Sequence, residues 1–276
     1  MDLTIKVKKS KKQPKFKGLP KQLPDNNFNA CFYGKTGSGK SVLIYNMIDF
    51  YKKYFPKINR FIVSPTIGLD DTLQEYFDDE NIFHSYNDNI ITHIVDVIKR
   101  DVEIIEEGLR EKAKNQMKKL KKYEDIEDDE ELDPDELEER YERIYKKEFK
   151  HPNYVLILDD CQGMIRGNHD LIAQFCARSR HYHVSCWFAF QNFRQCPNVI
   201  RTNARVMVFY EQNQQELAKI EEEVNIYKTK KAFMEMFHHF VHDYNFLYIN
   251  LFLPKRERYW SNIKKQIPYD EWNNIK

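Results

Sequence analysis

The chain alternates short apolar runs with longer stretches of helical period, the order that builds strand, helix, strand units and a parallel sheet. Phe28, Ala30 and Phe32 with their neighbours predict a short buried strand. From Ser41 to Ile48 the apolar positions recur at helical spacing and predict an amphipathic helix. Arg60 to Ser64 predicts the next strand, ended by Pro65, and Leu69 to Phe77 a short helix. Ile90, Ile91, Ile94, Val95 and Ile98 keep a helical period, which Lys99 to Lys122 extends as a charged helix with few apolar residues. Glu124 to Asp133 is an acidic turn, after which Asp133 as N-cap, Pro134 at the first helical position and Glu136 restart a helix to about Phe149. Asn153 to Leu158 is almost wholly apolar and suits a strand buried on both faces of a parallel sheet. A helix over Ile165 to Ser179, buried strands over His183 to Phe190 and Arg205 to Tyr210, and an edge strand over Phe246 to Phe252 complete the pattern. The fold class is α/β, a mainly parallel sheet flanked by helices with a charged helical-hairpin insertion. We divide it into a basic flexible arm (1–24), a core (25–98 and 150–252), the insertion (99–149) and a C-terminal tail (253–276).

Chemistry enters between the first strand and the first helix. Gly34, Lys35, Thr36, Gly37, Ser38, Gly39, Lys40 and Ser41 fit G-x-x-x-x-G-K-[ST]. Glycines there let successive backbone N–H groups converge, and the helix N-terminus adds free donors and positive dipole at the same point. Such a loop is built for phosphate, with Lys40 on the β- and γ-phosphates of a nucleotide and the Ser41 hydroxyl on Mg²⁺. Asp159 and Asp160 end the Asn153 strand, at the edge where open α/β sheets bind ligands. Asp159 is expected to hold Mg²⁺ and Asp160 to orient or deprotonate an attacking water. Gln191, at the tip of the next strand, is the candidate sensor of the γ-phosphate.

Charge and cysteine content narrow the setting. Lys plus Arg (44) nearly balances Asp plus Glu (43), so distribution matters more than net charge. Lys8, Lys9, Lys11 and Lys12 belong to a basic arm punctuated by Pro14, Pro20 and Pro24, which reads as a contact for nucleic acid phosphates or an acidic protein surface, or as a solvated tail. Arg166 stands in a glycine-flanked loop after the acidic pair and is a candidate contact for nucleic acid phosphates. The insertion reads equally as a spacer or a docking element. Five cysteines, without metal-ligand spacing, fit buried free thiols. His181 and His183 flank a buried strand and read as packing residues rather than a metal pair. No apolar run reaches the ~18 residues of a membrane span, and no secretory h-region follows the first lysines, so the expected setting is soluble and intracellular.

The Gly34 to Ser41 loop, the Ser64-Pro65 strand end, Leu158-Asp159-Asp160, and Ala177-Arg178-Ser179-Arg180-His181-Tyr182-His183 leading to Gln191-Asn192 and Pro197 to Asn203 together resemble the genome-packaging ATPases of large double-stranded DNA viruses and virophages. These poxvirus-type enzymes belong to the FtsK-HerA superfamily of P-loop NTPases. The resemblance covers residues 28–98 and 150–252. It implies an ASCE, RecA-like core and an ATP-hydrolysing homo-oligomeric ring at a capsid vertex that drives double-stranded DNA into a preformed shell. The place of action would be the host-cell cytoplasm, in the viral factory, or the virion. Ring motors complete each site with a neighbour's arginine, and Arg180, then Arg201, with Arg178, are the candidates; pairing with local acids or DNA phosphates is the other reading of each. Asp160 departs from the resemblance, since many relatives carry Glu there. A cellular or plasmid DNA motor of the same superfamily, and a P-loop nucleotide kinase or switch protein, are the alternatives.

Overall fold

The strands predicted from the apolar runs form, but they pair out of chain order, because parallel neighbours need crossovers over a face. The computed structural model describes residues 18–25, 27–55, 58–67, 77–123, 133–160, 163, 165 and 170–275. Its strands are β1 (Ala30–Tyr33), β2 (Ile58–Val63), β3 (Ile82–Phe83), β4 (Asn153–Leu158), β5 (Val184–Phe190), β6 (Val206–Phe209), β7 (Leu247–Asn250), β8 (Tyr259–Ser261) and β9 (Lys265–Gln266). Among the described residues they make one sheet in the order β3-β2-β4-β5-β1-β6-β7-β8-β9. The six from β3 to β6 run parallel. From β7 onward the pairing is antiparallel.

Side-chain alternation sorts these strands into two cores. Cys31 and Tyr33 of β1, Tyr154, Leu156 and Leu158 of β4, and Cys186, Phe188 and Phe190 of β5 face one side. There they meet α2 (Asp88–Tyr123), α4 (Leu171–Arg178), α5 (Asn198–Asn203), α6 (Gln214–Val224) and α7 (Lys230–Phe240). Ala30, Phe32, Val155, Ile157 and Trp187 face the other side, against α1 (Lys40–Lys52). Helices on both faces explain why the central strands are apolar throughout rather than alternating.

The insertion is a helical hairpin. α2 continues without a break from the Ile90 stripe into the charged segment, because no proline interrupts it and Gly108 is its one glycine. α3 (Pro134–Glu148) returns along it, capped by the Asp133 carboxylate, which accepts from the Asp135 N–H at 2.9 Å. Ala113, Tyr141 and Ile144 form its small core, and the Arg110 guanidinium lies 4.2 Å from the Tyr141 ring centre. A short α8 (Tyr269–Asn273) closes the chain.

Several expectations change. The strand over Phe246 to Phe252 is not an edge, since β8 and β9, in the expected tail, extend the sheet beyond it. Residues 18–24, expected to move as part of the arm, are packed: Leu19 and Leu23 are buried, Tyr54 Oη donates to Gly18 O at 3.0 Å, Tyr51 Oη to Pro24 O at 2.7 Å, and Lys21 pairs with Glu257. The helix expected from Ile165 begins at Leu171. The helix over Leu69 to Phe77, apart from Phe77, and the acidic turn up to residue 132 lie outside the described residues, as do Lys8, Lys9, Lys11, Lys12 and Arg166. Cys31, Cys176, Cys186 and Cys196 are buried free thiols.

Trp187 carries the middle of the α1 side, 5.6 Å from the Phe28 ring, 6.4 Å from Phe32 and 6.0 Å from Tyr51. Its indole Nε1 has no hydrogen-bond partner among the described residues. Trp187→Ala is expected to cost about 3–5 kcal/mol of unfolding free energy in a denaturant titration. Trp187→Phe is expected to cost much less, because losing the orphaned N–H offsets part of the lost area.

Candidate functional site

Parallel strands bring their carboxyl ends to one edge, so loops far apart in sequence converge there. β5 lies between β1 and β4. The loop after β1 and the acids after β4 are therefore two strand spacings apart, about 10 Å, with the tip of β5 between them. The Gly34 N–H donates to Phe190 O at 3.1 Å, which ties the start of the loop to the residue preceding Gln191. Gln191 is half-buried at that tip.

The loop itself is tight. A β-carbon at Gly34 would stand 2.6 Å from Ser38 Oγ and 2.8 Å from Tyr210 Cβ, so no other residue fits. Gly37 and Gly39 have φ of 78° and 94°, the left-handed region that glycine enters freely. Lys35, Thr36 and Gly37 are exposed, Ser38 and Gly39 half-buried. Lys40 opens α1 and is buried, its Nζ donating to Gly34 O at 2.6 Å and Lys35 O at 3.0 Å. Burial lowers its pKa, while the charges of Asp160 and Asp159 act the other way.

Ser41 Oγ donates to Asp159 Oδ2 at 2.9 Å, joining the first turn of α1 to the end of β4. Asp159 is buried, and desolvation raises its carboxyl pKa, with Asp160 adding to the rise and the Ser41 hydrogen bond and Lys40 opposing it. A hydroxyl and a carboxylate oxygen side by side are hard donors of the kind Mg²⁺ takes when several of its other ligands are water and phosphate. Asp160 adopts φ 51°, a left-handed conformation in which Asp and Asn are enriched among non-glycine residues. That gives a physical reason for Asp rather than the longer Glu at this position.

The candidate arginines divide. Arg178 ends α4 and Arg180 lies in the turn before β5, both exposed. Seven residues of β5 separate that turn from Gln191, about 20 Å at the rise of a strand, so neither reaches its own chain's phosphate loop. Arg201 is mostly buried instead, its Nη1 donating to Phe193 O at 3.4 Å, its Nε 3.4 Å from Glu223 Oε2 and its guanidinium 4.8 Å from the Phe193 ring centre. Arg201 thus makes the contacts expected of the reading in which it pairs with a local acid. His183 stacks on His151 at 3.8 Å between ring centres and its Nδ1 lies 3.3 Å from Asn27 Nδ2, a packing arrangement. Among the described residues no three metal-ligating side chains cluster.

Two contributors were not singled out from the sequence. Tyr210, past the end of β6, donates from Oη to Gly39 O at 3.1 Å. Arg194, just beyond Gln191, pairs with the buried Glu216 of α6, its backbone N–H donating to Oε2 at 3.1 Å. Both depend on which strand neighbours β1, which no local pattern states. A cleft of about 670 Å³ lined by Tyr54, Asp101, Ile104 and His151 opens where β2 and β4 begin, at the opposite edge, and is not part of this site.

Residues 135–250 match the family model described as Poxvirus A32 protein. The match spans Asp159, Arg178, Arg180 and Gln191 but not the Gly34 to Ser41 loop, and over these residues the resemblance to poxvirus-type packaging ATPases is borne out. No curated protein matches. Among solved structures, the genome packaging NTPase B204 from Sulfolobus turreted icosahedral virus 2 in complex with ATP-gammaS is 15% identical, with 88% of this chain and 98% of that chain covered and a TM-score of 0.47. The cytoplasmic domain of the Thermomonospora curvata type VII secretion ATPase EccC is 14% identical, covering 88% of this chain and 24% of that one, with a TM-score of 0.44. Among the described residues no helix is long and apolar enough to cross a membrane.

The raised carboxyl of Asp159 gives a signed expectation. An acid whose folded pKa lies above its unfolded value destabilises the fold when ionised; the penalty is fully present above the folded pKa and disappears as pH falls below the unfolded one. Asp159→Asn is therefore expected to raise the melting temperature of the nucleotide-free chain at neutral pH by a few degrees, while Mg²⁺-dependent nucleotide binding is lost. An unchanged or lower melting temperature means that Ser41 and Lys40 already compensate the charge.

Proposed function

We propose that the chain is an ATP-hydrolysing subunit of a ring that translocates double-stranded DNA into a viral capsid. The observation that carries the reading is the meeting of Lys40, Ser41 and Asp159 at one edge of the sheet, within a loop of phosphate-binding form and beside Gln191. ATP is the substrate, arriving with Mg²⁺. Incoming phosphate oxygens take over the Lys40 Nζ donors now given to Gly34 O and Lys35 O. The free N–H groups at the start of α1 face the same charge, adding donors and dipole. Ser41 and Asp159 are the residues that would hold the metal, which when bound neutralises charge on the phosphate oxygens. Asp160 orients the attacking water and accepts its proton, and Gln191 contacts the γ-phosphate. Arg180, with Arg178 second, completes the site of the adjacent subunit, because both are exposed and about 20 Å from their own loop at the rise of a strand.

Support for the packaging role comes from the family match over residues 135–250 and from the motifs that resemble the viral packaging ATPases. In this reading the lysines of the arm and Arg166 contact DNA phosphates without reading bases, as packaging any sequence requires. Capsid-vertex proteins are the further partners, and the infected cell's cytoplasm is the place of action.

Steady-state ATP hydrolysis with and without double-stranded DNA tests this. The unaltered chain is expected to hydrolyse ATP faster when DNA is added. Lys40→Ala is expected to lose turnover on the order of 100-fold or more. Asp160→Asn keeps a residue suited to left-handed backbone, so it is expected to bind ATP normally and hydrolyse it slowly. Turnover retained by Lys40→Ala refutes the site, and turnover indifferent to DNA refutes translocation.

A further inference from the structure

An exposed aromatic ring stands over the phosphate loop on the side away from the acids. Tyr244 is 75% exposed, the most exposed large apolar side chain among the described residues. A β-carbon at Gly39 would stand 4.0 Å from Tyr244 Cδ1 and 3.8 Å from Tyr210 Oη. A side chain of this size in water forgoes the burial that drives aromatic rings inward, yet its backbone is not loose. Asp243 before it holds φ 52°, and the Asn245 N–H donates to His242 O at 2.9 Å, closing the turn. The Phe246 N–H then donates to Asn262 Oδ1 at 2.9 Å, and the Asn262 N–H returns to Phe246 O at 3.1 Å. The ring is thus presented on a turn pinned to β7 and to the segment after β8.

Direction decides what it meets. Asp159 and Gln191, which mark the γ end of a bound triphosphate, follow β4 and β5 on one side of β1. Tyr210 and Tyr244 flank β6 and β7 on the other side. A triphosphate whose γ end points toward Asp159 projects its α-phosphate, ribose and base the opposite way, past Gly39. Val42, one helical turn beyond Gly39, is also exposed, at 64%. A flat apolar heterocycle is the group that an exposed ring and an exposed aliphatic side chain would cover together, and aromatic rings stack on bases of any kind.

Resting on the nucleotide reading above, we infer that Tyr244 is the stacking platform for the purine base of ATP, held in place by Asn262. It binds the base and takes no part in the chemistry. Its side chain prefers a nucleotide over bare polyphosphate.

Equilibrium binding of ATP and of inorganic tripolyphosphate to the full chain tests the platform. The unaltered chain is expected to bind ATP more tightly than tripolyphosphate. Tyr244→Ala is expected to weaken ATP about 10-fold, the order of one base-aromatic stack, and to leave tripolyphosphate within about 2-fold. Tyr244→Phe keeps the ring and is expected to keep ATP affinity. Asn262→Ala, which frees the turn, is expected to weaken ATP in the same selective way. ATP affinity unchanged in Tyr244→Ala overturns the platform, whether the ring is then idle or covered by a neighbouring subunit. Equal weakening of both ligands also overturns it, since the loss then lies in the loop. If the unaltered chain binds tripolyphosphate and Lys40→Ala does not, the phosphate loop stands whatever Tyr244 does; if the unaltered chain binds neither ligand, loop and platform fall together.

Discussion

Two opposite charges buried at the carboxyl edge of the parallel sheet, Lys40 at the start of α1 and Asp159 after β4, govern this molecule. Lys40 gives its ammonium to the carbonyls of its own loop, and Asp159 accepts the Ser41 hydroxyl one helical position further on. Burial depresses the pKa of the lysine and raises that of the aspartate. Burying a charge is costly, and a ligand carrying phosphate and a divalent cation offers opposite charge to both at once. The loop glycines, the position of β1 and the bond across to β4 all serve to bring those charges together and keep them so.

The sheet order supplies the rest. With β5 inserted between β1 and β4, the start of the phosphate loop is tied to the tip of β5 by the hydrogen bond from Gly34 to Phe190. From there the chain turns through Arg194, bolted to Glu216 of α6, and Arg201, paired with Glu223 on the same helix. Arg201 is therefore engaged with the segment that follows β5 and with α6. The opposite end of β5 carries Arg178 and Arg180, exposed and out of reach of their own loop. β5 thus carries Gln191 at one end and two exposed arginines at the other, the separation on which the proposed sharing of a site between subunits rests.

Much of this was legible because its signals are local. Apolar runs such as Tyr154 to Leu158 and Val184 to Phe190 announce buried parallel strands, and Gly34 to Ser41 announces the turn between β1 and α1. Asp133, Pro134 and Glu136 mark the start of α3 in the same way. What stayed hidden depends on contacts made at a distance. Leu19 and Leu23, scattered among prolines and lysines, give no period, yet they are buried once the end of α1 and the loop after β7 are in place. β8 and β9 have three and two residues, too few for alternation to declare itself, so β7 looked like an edge. The left-handed backbone of Asp160 and the hydrogen bond from Tyr210 to Gly39 follow from tertiary geometry that no short window of residues contains.

The central claim is that each catalytic site is shared between two copies of the chain, and subunit mixing tests it most directly. Chains carrying Arg180→Ala and chains carrying Lys40→Ala are each expected to be inactive alone, since one lacks the cation given to its neighbour and the other lacks the phosphate lysine. Mixed in equal amounts with DNA, they form some interfaces that pair an intact loop with an intact arginine, and ATP turnover is expected to recover in part. Turnover that stays at the level of the separate variants, or full activity of the Arg180→Ala chain on its own, contradicts the account.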